Sequence, residues 1–246
     1  MKVEQITPYG THEGKTEQVR EMFDSIAPAY DLMNAAMTLG MDRGWRRKAV
    51  SLLGPASRYG RVLDIATGTA DIAIKLAQTH ATPRVVGIDL SEGMLEVGRR
   101  KVSEARLPQG CSIELQQGDS LALPFENESF DGAICAYGVR NFSDIARGLG
   151  EMARVLRPGG ALVILELSTP RSPLVKPFYN LYTRGFIPLL GRLVSKDPRA
   201  YSYLPESIAA VPQGAEMTSL MEQAGFSRAT AISLFLGVCT IYHALK

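Results

Sequence analysis

Cysteine is scarce in this sequence of 246 residues, which contains only Cys111, Cys135 and Cys239. Their odd number does not suit a disulfide framework, and they show neither CxxC nor Cys/His spacing typical of a zinc site. We therefore expect a reduced, cytoplasmic protein without a bound metal.

Long hydrophobic runs and concentrated charge are also missing. No apolar run reaches membrane-spanning length, and the first twenty residues lack the apolar core of a signal peptide. The net charge is only +2, and the 27 lysines and arginines are spread along the chain. These absences argue against an integral membrane protein, a secreted protein and a partner of nucleic acid.

The patterning that is present indicates an α/β fold. A hydrophobic content of 46% is enough for one large core, so we expect a single domain over residues 1–246. From residue 61 onward, short apolar strands alternate with helical periodicity, which predicts a doubly wound, mostly parallel sheet. The last two of seven predicted strands, 229–235 and 239–246, are joined by three residues and must pair as an antiparallel hairpin.

Two segments lie outside this alternation. Residues 1–55 are predicted to form a helical cap, with helices over 16–26 and 42–53 and an aromatic, Met-rich connection between them. The proline-rich residues 170–212 are predicted to fold over the sheet as a substrate lid. The RPGG stretch at 157–160 predicts a helix stop followed by a turn.

The stretch VLDIATGTADIAIKLA at 62–77 is typical of a strand, a tight turn and a helix. In the dinucleotide-binding fingerprint, three glycines allow the turn, the close approach of a pyrophosphate and the packing of helix on strand. Here the three places hold Ala66, Gly68 and Ala70. The retained Gly68 predicts close approach of the backbone to a ligand, although a diphosphate is not favoured.

Acidic residues lie at or near the ends of the predicted strands in an ordered set. Asp89 lies about twenty residues beyond the turn, where it can accept ribose hydroxyls, and Asp119 and the Ser120 N–H can meet an adenine ring. Asp64 can engage an ammonium group through water, and Thr69 a carboxylate at the helix N-terminus. Any one acid could instead be a helix cap.

Three features favour S-adenosylmethionine over NAD. S-Adenosylmethionine carries no phosphate, so Ala66 and Ala70 are tolerable in the turn, and Asp119 can reach an adenine amino group. The sheet is also predicted to end in an antiparallel hairpin instead of a second dinucleotide-binding half.

Several stretches are more specific than these cofactor motifs: MFDSIAPAYDLMN with WRRK downstream, YGVRN at 137–141, LRPGG followed by LELS, and YSYLPESI at 201–208. On these stretches the chain resembles the ubiquinone/menaquinone biosynthesis C-methyltransferases, within the class I S-adenosylmethionine-dependent methyltransferases. The resemblance extends from about Val19 to the C-terminus. It departs from the family pattern at Ala70, where glycine is common, and at Ala136, where a serine can stand.

The resemblance implies methylation of a ring carbon of a polyprenylated quinol. The cofactor-binding positions of the family correspond here to Thr69, Asp89, Asp119 and Ser120. Carbon attack needs an electron-rich ring, so the acceptor is the reduced quinol. Arg140 would stabilise the developing phenolate, and Asn141 would help to position the ring. Tyr30 would close the site and bind a quinol oxygen. The alternatives are a packing role for Tyr30 and a surface salt bridge for Arg140.

Demethylmenaquinol is the expected acceptor, with the methoxy-benzoquinol of the ubiquinone route left open. Two alternative functions stay open: a methyltransferase for another apolar phenolic or sterol-like acceptor, and a non-catalytic cofactor-binding scaffold of a quinone assembly complex. Apolar and basic residues mix over 173–196, where the basic ones are Lys176, Arg184, Arg192 and Lys196. This mixture predicts either an ordinary packing insertion or peripheral contact with the inner face of the membrane. The oligomeric state, including a homodimer, stays open.

Overall fold

The computed structural model describes residues 2–54, 60–79, 82–186 and 197–246. Its strands are β1 Arg61–Ile65, β2 Arg84–Asp89, β3 Ser112–Gln117, β4 Phe130–Ala136, β5 Leu156–Leu167, β6 Ser227–Leu234 and β7 Cys239–Leu245. They form one seven-stranded sheet in the order β3-β2-β1-β4-β5-β7-β6. The pairs from β3 to β5 are parallel, and β7 is antiparallel to β5 and β6. The predicted fold class is confirmed.

Helices cover both faces of this sheet. They are α1 Lys15–Ile26, α2 Tyr30–Thr38, α3 Asp42–Ser51, α4 Asp71–Thr79, α5 Glu92–Glu104, α6 Ile145–Val155, α7 Lys176–Leu181, α8 Pro198–Ala210 and α9 Ala215–Gln223. The side chain of Ser91 accepts from the Met94 N–H at 3.0 Å and so caps the N-terminus of α5. The side chain of Asp144 caps α6 in the same way.

The central strands are buried on both faces. Leu63 and Ile65 of β1 belong to a core that includes residues of α6 and α9. The neighbouring Val62 belongs to the opposite core, which includes residues of α3 and α4. Because successive side chains of a strand point to opposite faces, a strand between two layers of helices must be apolar throughout. This requirement explains the continuous apolar runs in the sequence.

The strand order places a ligand crevice at the carboxyl ends of β1 and β4. From β1 the chain proceeds outward to β2 and β3, and then returns to build β4 and β5 on the other side. Ligands of doubly wound sheets bind where the strand order reverses, because the loops after the two central strands diverge there. The turn after β1 and the segment after β4 therefore lie side by side.

The N-terminal segment contains a helix that the sequence reading missed. Residues 30–38, predicted as part of a connection, form α2 after a short 3-10 turn over Ala27–Ala29. Among the nine residues of α2 only Met33 is buried, so no apolar stripe marks the helix in the sequence. Helix α2 ends at Leu39, which adopts a left-handed backbone. Helix α3 begins at Asp42 as predicted and ends at Ser51.

The RPGG stretch lies inside β5 instead of preceding it. Phe130 of β4 pairs with Leu156 and Gly132 pairs with Ala161, so residues 157–160 bulge from the ladder. The Gly159 N–H donates to the carbonyl of Lys246 at 2.8 Å. Helix α6 ends before this stretch, at Val155, as the prediction of a helix stop required. In place of the predicted turn, the stretch forms a bulge within β5 that is hydrogen-bonded to Lys246.

The segment predicted as a lid contains α7, a π-helical turn over Tyr182–Phe186 and α8. Residues 187–196, including the predicted lipid-facing Arg192 and Lys196, lie outside the described residues. Across the described ranges, no helix combines the length and the apolar character needed to span a bilayer.

Candidate active site

The turn between β1 and α4 keeps a glycine-like backbone at all three fingerprint places. Gly68 has φ +55°, and Ala66 and Ala70 have φ +54° and +65°. A left-handed conformation costs an alanine about 1 kcal/mol, whereas glycine adopts it freely. The turn therefore has conformations that favour glycine at positions 66, 68 and 70, although two methyl groups narrow the space beside it.

Four predicted cofactor residues line one cavity, which we call the nucleoside cavity. It has a volume of about 60 Å³ and is lined by Asp89, Asp119 and Ser120 and by a fourth predicted cofactor residue, Gly68. One carboxylate oxygen of Asp89 accepts from the Gly68 N–H at 2.8 Å, and the other from the Ser91 N–H at 2.9 Å. Burial raises the pKa of Asp89 to about 6. The remaining lone pairs of Asp89 are available to ribose hydroxyls.

The other two predicted cofactor residues line a smaller neighbour, which we call the turn cavity. It measures about 30 Å³ and is lined by Asp64, Thr69, Arg46 and Asp71, with Gly68 again. Asp64 is buried and accepts from the Thr67 hydroxyl at 2.6 Å. All six predicted cofactor residues thus lie around two adjacent cavities at the carboxyl ends of the strands.

A third, larger cavity of about 320 Å³ lies beside these two, and we call it the apolar cavity. Its size is at the lower end for small-molecule sites. The apolar side chains that line it are Met37, Leu39, Met41, Trp45, Leu167, Val175, Phe178, Leu204, Ile208, Phe235 and Val238. The charged side chains at its wall are Asp42, Arg46 and Arg140. Such a lining suits a hydrophobic molecule with a polar head.

Arg140 lies in a short 3-10 helix after β4 and is only 6% exposed. Its Nη1 lies 2.8 Å from Oε1 of Glu166 on β5, and its backbone N–H donates to the other carboxylate oxygen at 3.2 Å. Glu166 is 2% exposed. The Nε–H of Arg140 has no partner among the described residues. The alternative of a surface salt bridge was wrong, since the ion pair is buried.

Tyr137, two residues before this short helix, has a left-handed backbone with φ +60°. Its carbonyl accepts from the Arg140 guanidinium and from the Asn141 amide, the latter at 3.3 Å. The Asn141 carbonyl oxygen accepts from the Tyr203 hydroxyl at 3.2 Å. A bulky residue holds such a conformation only when its surroundings enforce it, and such strain is common at functional sites. The carbonyl of Tyr137 therefore holds two of the three predicted catalytic side chains, those of Arg140 and Asn141.

The predicted catalytic residues occupy different walls of the site. Arg140 lines the apolar cavity, and Asn141 lines the nucleoside cavity. Tyr30 lines both, together with the turn cavity. Its ring also packs edge-on against Phe23, with the ring centres 6.1 Å apart. Tyr30 therefore has the packing contact of the alternative reading and a position between the cavities.

Sequence reasoning missed two buried charged residues of the site, Glu166 and Arg46. A signal exists for each. Glu166 is the one charged residue in the apolar run ALVILELS, and an acid within a buried strand needs a partner. Arg46 shares the buried face of α3 with Trp45, Ala49 and Val50. A charged residue in a buried helical stripe indicates a site, but only the fold shows which one.

The residues present fit S-adenosylmethionine. Asp89 and Asp119 offer acceptors for a ribose and an adenine amino group, and buried Asp64 offers an anion for an ammonium group. The Nε–H of buried Arg46 has no partner among the described residues. In residues 2–54, 60–79, 82–186 and 197–246, no group of three or more His, Cys, Asp or Glu side chains is arranged to hold a metal ion.

Cofactor affinity is expected to rise with pH through Asp64. Burial raises the pKa of this carboxyl to about 7, where the Asp89 charge also raises it and the Thr67 hydroxyl and Arg46 oppose the shift. An ammonium group bound nearby favours the carboxylate and lowers this pKa, so binding releases a proton. The affinity for S-adenosylhomocysteine should increase by up to about tenfold per pH unit below pH 7 and level off above it.

Isothermal titration calorimetry across this range measures the slope. Asp64→Asn removes the titrating group and should flatten the profile between about pH 6 and 8, leaving only the weaker dependence from Asp89 at lower pH. A slope near pH 7 that persists in Asp64→Asn would assign the proton to another group.

Comparison with known proteins places this geometry in context. A family model described as the ubiE/COQ5 methyltransferase family matches residues 11–246. The demethylmenaquinone methyltransferase of Bacteroides fragilis is 46% identical over 99% of this chain and 98% of that protein. The ubiquinone/menaquinone biosynthesis C-methyltransferase of Geobacter sulfurreducens is 43% identical over 100% and 94%. A crystal structure of an S-adenosylmethionine-dependent methyltransferase from Thermotoga maritima shares the fold, with a TM-score of 0.64 and 20% identity over 92% of this chain and 99% of that chain.

Proposed function

The chain belongs to the ubiE/COQ5 methyltransferase family, and on this premise we propose that it methylates a ring carbon of a polyprenyl quinol with S-adenosylmethionine as the methyl donor. The family resemblance predicted from the sequence is confirmed. The protein is a C-methyltransferase of quinone biosynthesis. Demethylmenaquinol is the acceptor that we place first, and the methoxy-benzoquinol of the ubiquinone route is the second.

The observation that carries this proposal is the meeting of polar and apolar cavities at two tyrosines. Tyr30 and Tyr137 line the nucleoside cavity, the turn cavity and the apolar cavity alike. A polar cofactor held on one side and a hydrophobic acceptor on the other would approach each other between these rings. Methyl transfer needs such an approach, with the reacting atoms about 3–3.5 Å apart.

The chemistry requires stabilisation of an oxygen anion on the acceptor. S-Adenosylmethionine, when bound, would supply a sulfonium-activated methyl group that a nucleophilic ring carbon can attack, with S-adenosylhomocysteine as the leaving group. The ring carbon becomes nucleophilic as a quinol hydroxyl loses its proton. Arg140 presents a fixed positive charge at the wall of the apolar cavity, where it stabilises the resulting phenolate. Because a guanidinium stays protonated, Arg140 is not the proton acceptor.

The surrounding residues hold this charge in place before the acceptor arrives. Glu166 and the Tyr137 carbonyl bind Nη1 of Arg140, which leaves its Nε–H for an acceptor oxygen. Asn141 is fixed between Tyr137 and the Tyr203 hydroxyl and faces the nucleoside cavity. Such preorganised groups need no rearrangement during the reaction, which makes their electrostatic effect larger than in water.

The isoprenoid tail would leave through the mouth of the apolar cavity toward a membrane surface. Among the residues that the structure describes, seven large apolar side chains are more than half exposed: Leu32, Leu39, Leu174, Phe178, Leu181, Phe235 and Leu236. Three of them, Leu39, Phe178 and Phe235, also line the cavity. Contiguous exposed apolar surface is rare on proteins that bind no apolar partner. These side chains support peripheral contact with the inner face of the membrane.

Methyl transfer from labelled S-adenosylmethionine tests the proposed function. Detergent-solubilised demethylmenaquinone and its benzoquinone counterpart are each supplied with and without a reductant, and with long and short isoprenoid tails. We expect label in a ring only under reduction, and more of it with the longer tail. Label in neither ring, from a protein that binds the cofactor, would contradict the quinone acceptor and favour another acceptor or a scaffold.

A further inference from the structure

Five charged side chains form one network beside the turn cavity. The Lys101 ammonium lies 2.7 Å from a carboxylate oxygen of Asp31 on α2 and 2.5 Å from one of Asp71 on α4. The Arg46 guanidinium on α3 pairs with the other oxygen of Asp71, and its Nη2 lies 3.5 Å from Asp42. The network therefore joins the helical segment that precedes the sheet to the first turn of α4 and to α5.

The guanidinium of Arg46 has one N–H donor that this network does not bind. Its side chain is 8% exposed, and its guanidinium carbon lies 5.7 Å from the centre of the Tyr137 ring. Its Nε–H is buried without a partner in the part of the chain that the structure describes. A buried donor that lacks an acceptor costs free energy unless a ligand supplies one. The turn cavity, which Arg46 lines with Thr69, is where such a ligand would enter.

The position beside Thr69 already binds a carboxylate of the protein itself. The Thr69 hydroxyl donates to Asp31 at 2.6 Å, and the Lys101 ammonium lies 3.1 Å from the same hydroxyl. The turn cavity has about 30 Å³, which is space for about two water molecules. The amino-acid tail of a cofactor can enter this cavity only if a side chain withdraws. The Asp31 side chain is the candidate, because its carboxylate binds Thr69 as the carboxylate of the tail would.

The charge of the network suits the cofactor. Two cations and three carboxylates leave it with one net negative charge. S-Adenosylmethionine carries a sulfonium, an ammonium and a carboxylate, and so one net positive charge. The carboxylates of Asp64 and Asp71 at the wall of the turn cavity can attract its sulfonium and ammonium groups. Its carboxylate requires a positively charged side chain instead. Arg46 is the guanidinium that lines this cavity.

We propose that Arg46, together with Thr69, binds the carboxylate of the cofactor's amino-acid tail, and that Asp31 gives up the Thr69 hydroxyl when the cofactor enters. This inference rests on the proposed use of S-adenosylmethionine. It makes Arg46 the residue that selects a nucleoside with a carboxylate on its tail. It also links cofactor binding to α2, since α2 carries both Asp31 and Tyr30.

Two ligands that differ only in the carboxylate test the proposal: S-adenosylmethionine and decarboxylated S-adenosylmethionine. Their affinities for the full-length protein are measured by calorimetry for the wild type, Arg46→Gln and the control Arg47→Gln, an exposed arginine on the same helix. A charge-assisted contact predicts a loss of about 10- to 100-fold for S-adenosylmethionine in Arg46→Gln. The decarboxylated ligand should lose less than about threefold, and Arg47→Gln should match the wild type.

Arg46→Lys extends the test if Arg46→Gln does not fold. Lysine keeps the charge but not the fork of donors, so a smaller loss, still confined to S-adenosylmethionine, is expected. An equal loss for both ligands, or no loss for either, would overturn the role of Arg46 and leave the methyltransferase function standing. A wild-type protein that binds neither ligand would contradict the proposed function itself.

Discussion

Replacing Arg140 with glutamine should lower kcat by about 100- to 1,000-fold, while the Kd for S-adenosylmethionine stays within about threefold. The reason is the location of Arg140, which lines the apolar cavity and not the nucleoside or turn cavities. In the proposed mechanism its charge acts on the acceptor oxygen, where negative charge develops, and not on the cofactor. Single-turnover methyl transfer and calorimetric cofactor binding measure the two effects separately.

The Arg140 experiment needs a companion variant, because the single substitution leaves Glu166 buried without its partner. Glu166 is 2% exposed, and an uncompensated buried charge destabilises the fold. The double variant Arg140→Gln with Glu166→Gln removes both charges and should show the same loss of kcat in a well-folded protein. Arg100→Gln, on an exposed part of α5, is the matched control. A double variant that keeps wild-type kcat would exclude a catalytic role for Arg140.

Replacing Glu166 with alanine should lower the free energy of unfolding by about 3–5 kcal/mol. The carboxylate pairs with the Arg140 guanidinium at 2.8 Å and accepts from the backbone N–H groups of Arg140 and Leu167. Without it, a buried guanidinium and two N–H groups lose their acceptor. Denaturant unfolding, monitored by circular dichroism, measures this change.

Two further variants separate the buried charge from general damage to β5. Glu166→Gln keeps a hydrogen-bond acceptor and should destabilise less than Glu166→Ala. Glu92→Ala breaks the ion pair with Arg99, where both side chains are more than 40% exposed, and should cost less than about 1 kcal/mol. If Glu166→Ala were as stable as Glu92→Ala, the ion pair with Arg140 would not anchor this part of the site.

The positions of the acidic cofactor residues could be predicted from the sequence because each lies at or near the carboxyl end of a strand. Strand and helix periodicities are local, so Asp64, Asp89 and Asp119 could be assigned to strand ends without knowing the fold. Parallel strands place their carboxyl ends at one edge, which brings these residues together around adjacent cavities. The resemblance added Arg140 and Tyr30, which both line the apolar cavity.

Residues that act through distant partners could not be predicted in this way. Arg46 meets Asp71 over 25 positions, and Arg140 meets Glu166 over 26. No local period reports such a pair, since its members belong to different elements that the sheet brings into contact. Helix α2 was missed for a related reason, because it presents mostly partly buried residues to the cavities and so lacks an apolar stripe.

The fold class, the glycine turn and the family could be inferred without a structure, because alternating apolar periods and short motifs are properties of neighbouring residues. The meeting of three cavities at Tyr30 and Tyr137 is visible only in the folded chain. The same holds for the ion pair between Arg140 and Glu166 and for the hydrogen bond from the Thr69 hydroxyl to Asp31. These are contacts between segments far apart in the chain, and their formation depends on how the helices pack across the reversal point of the sheet.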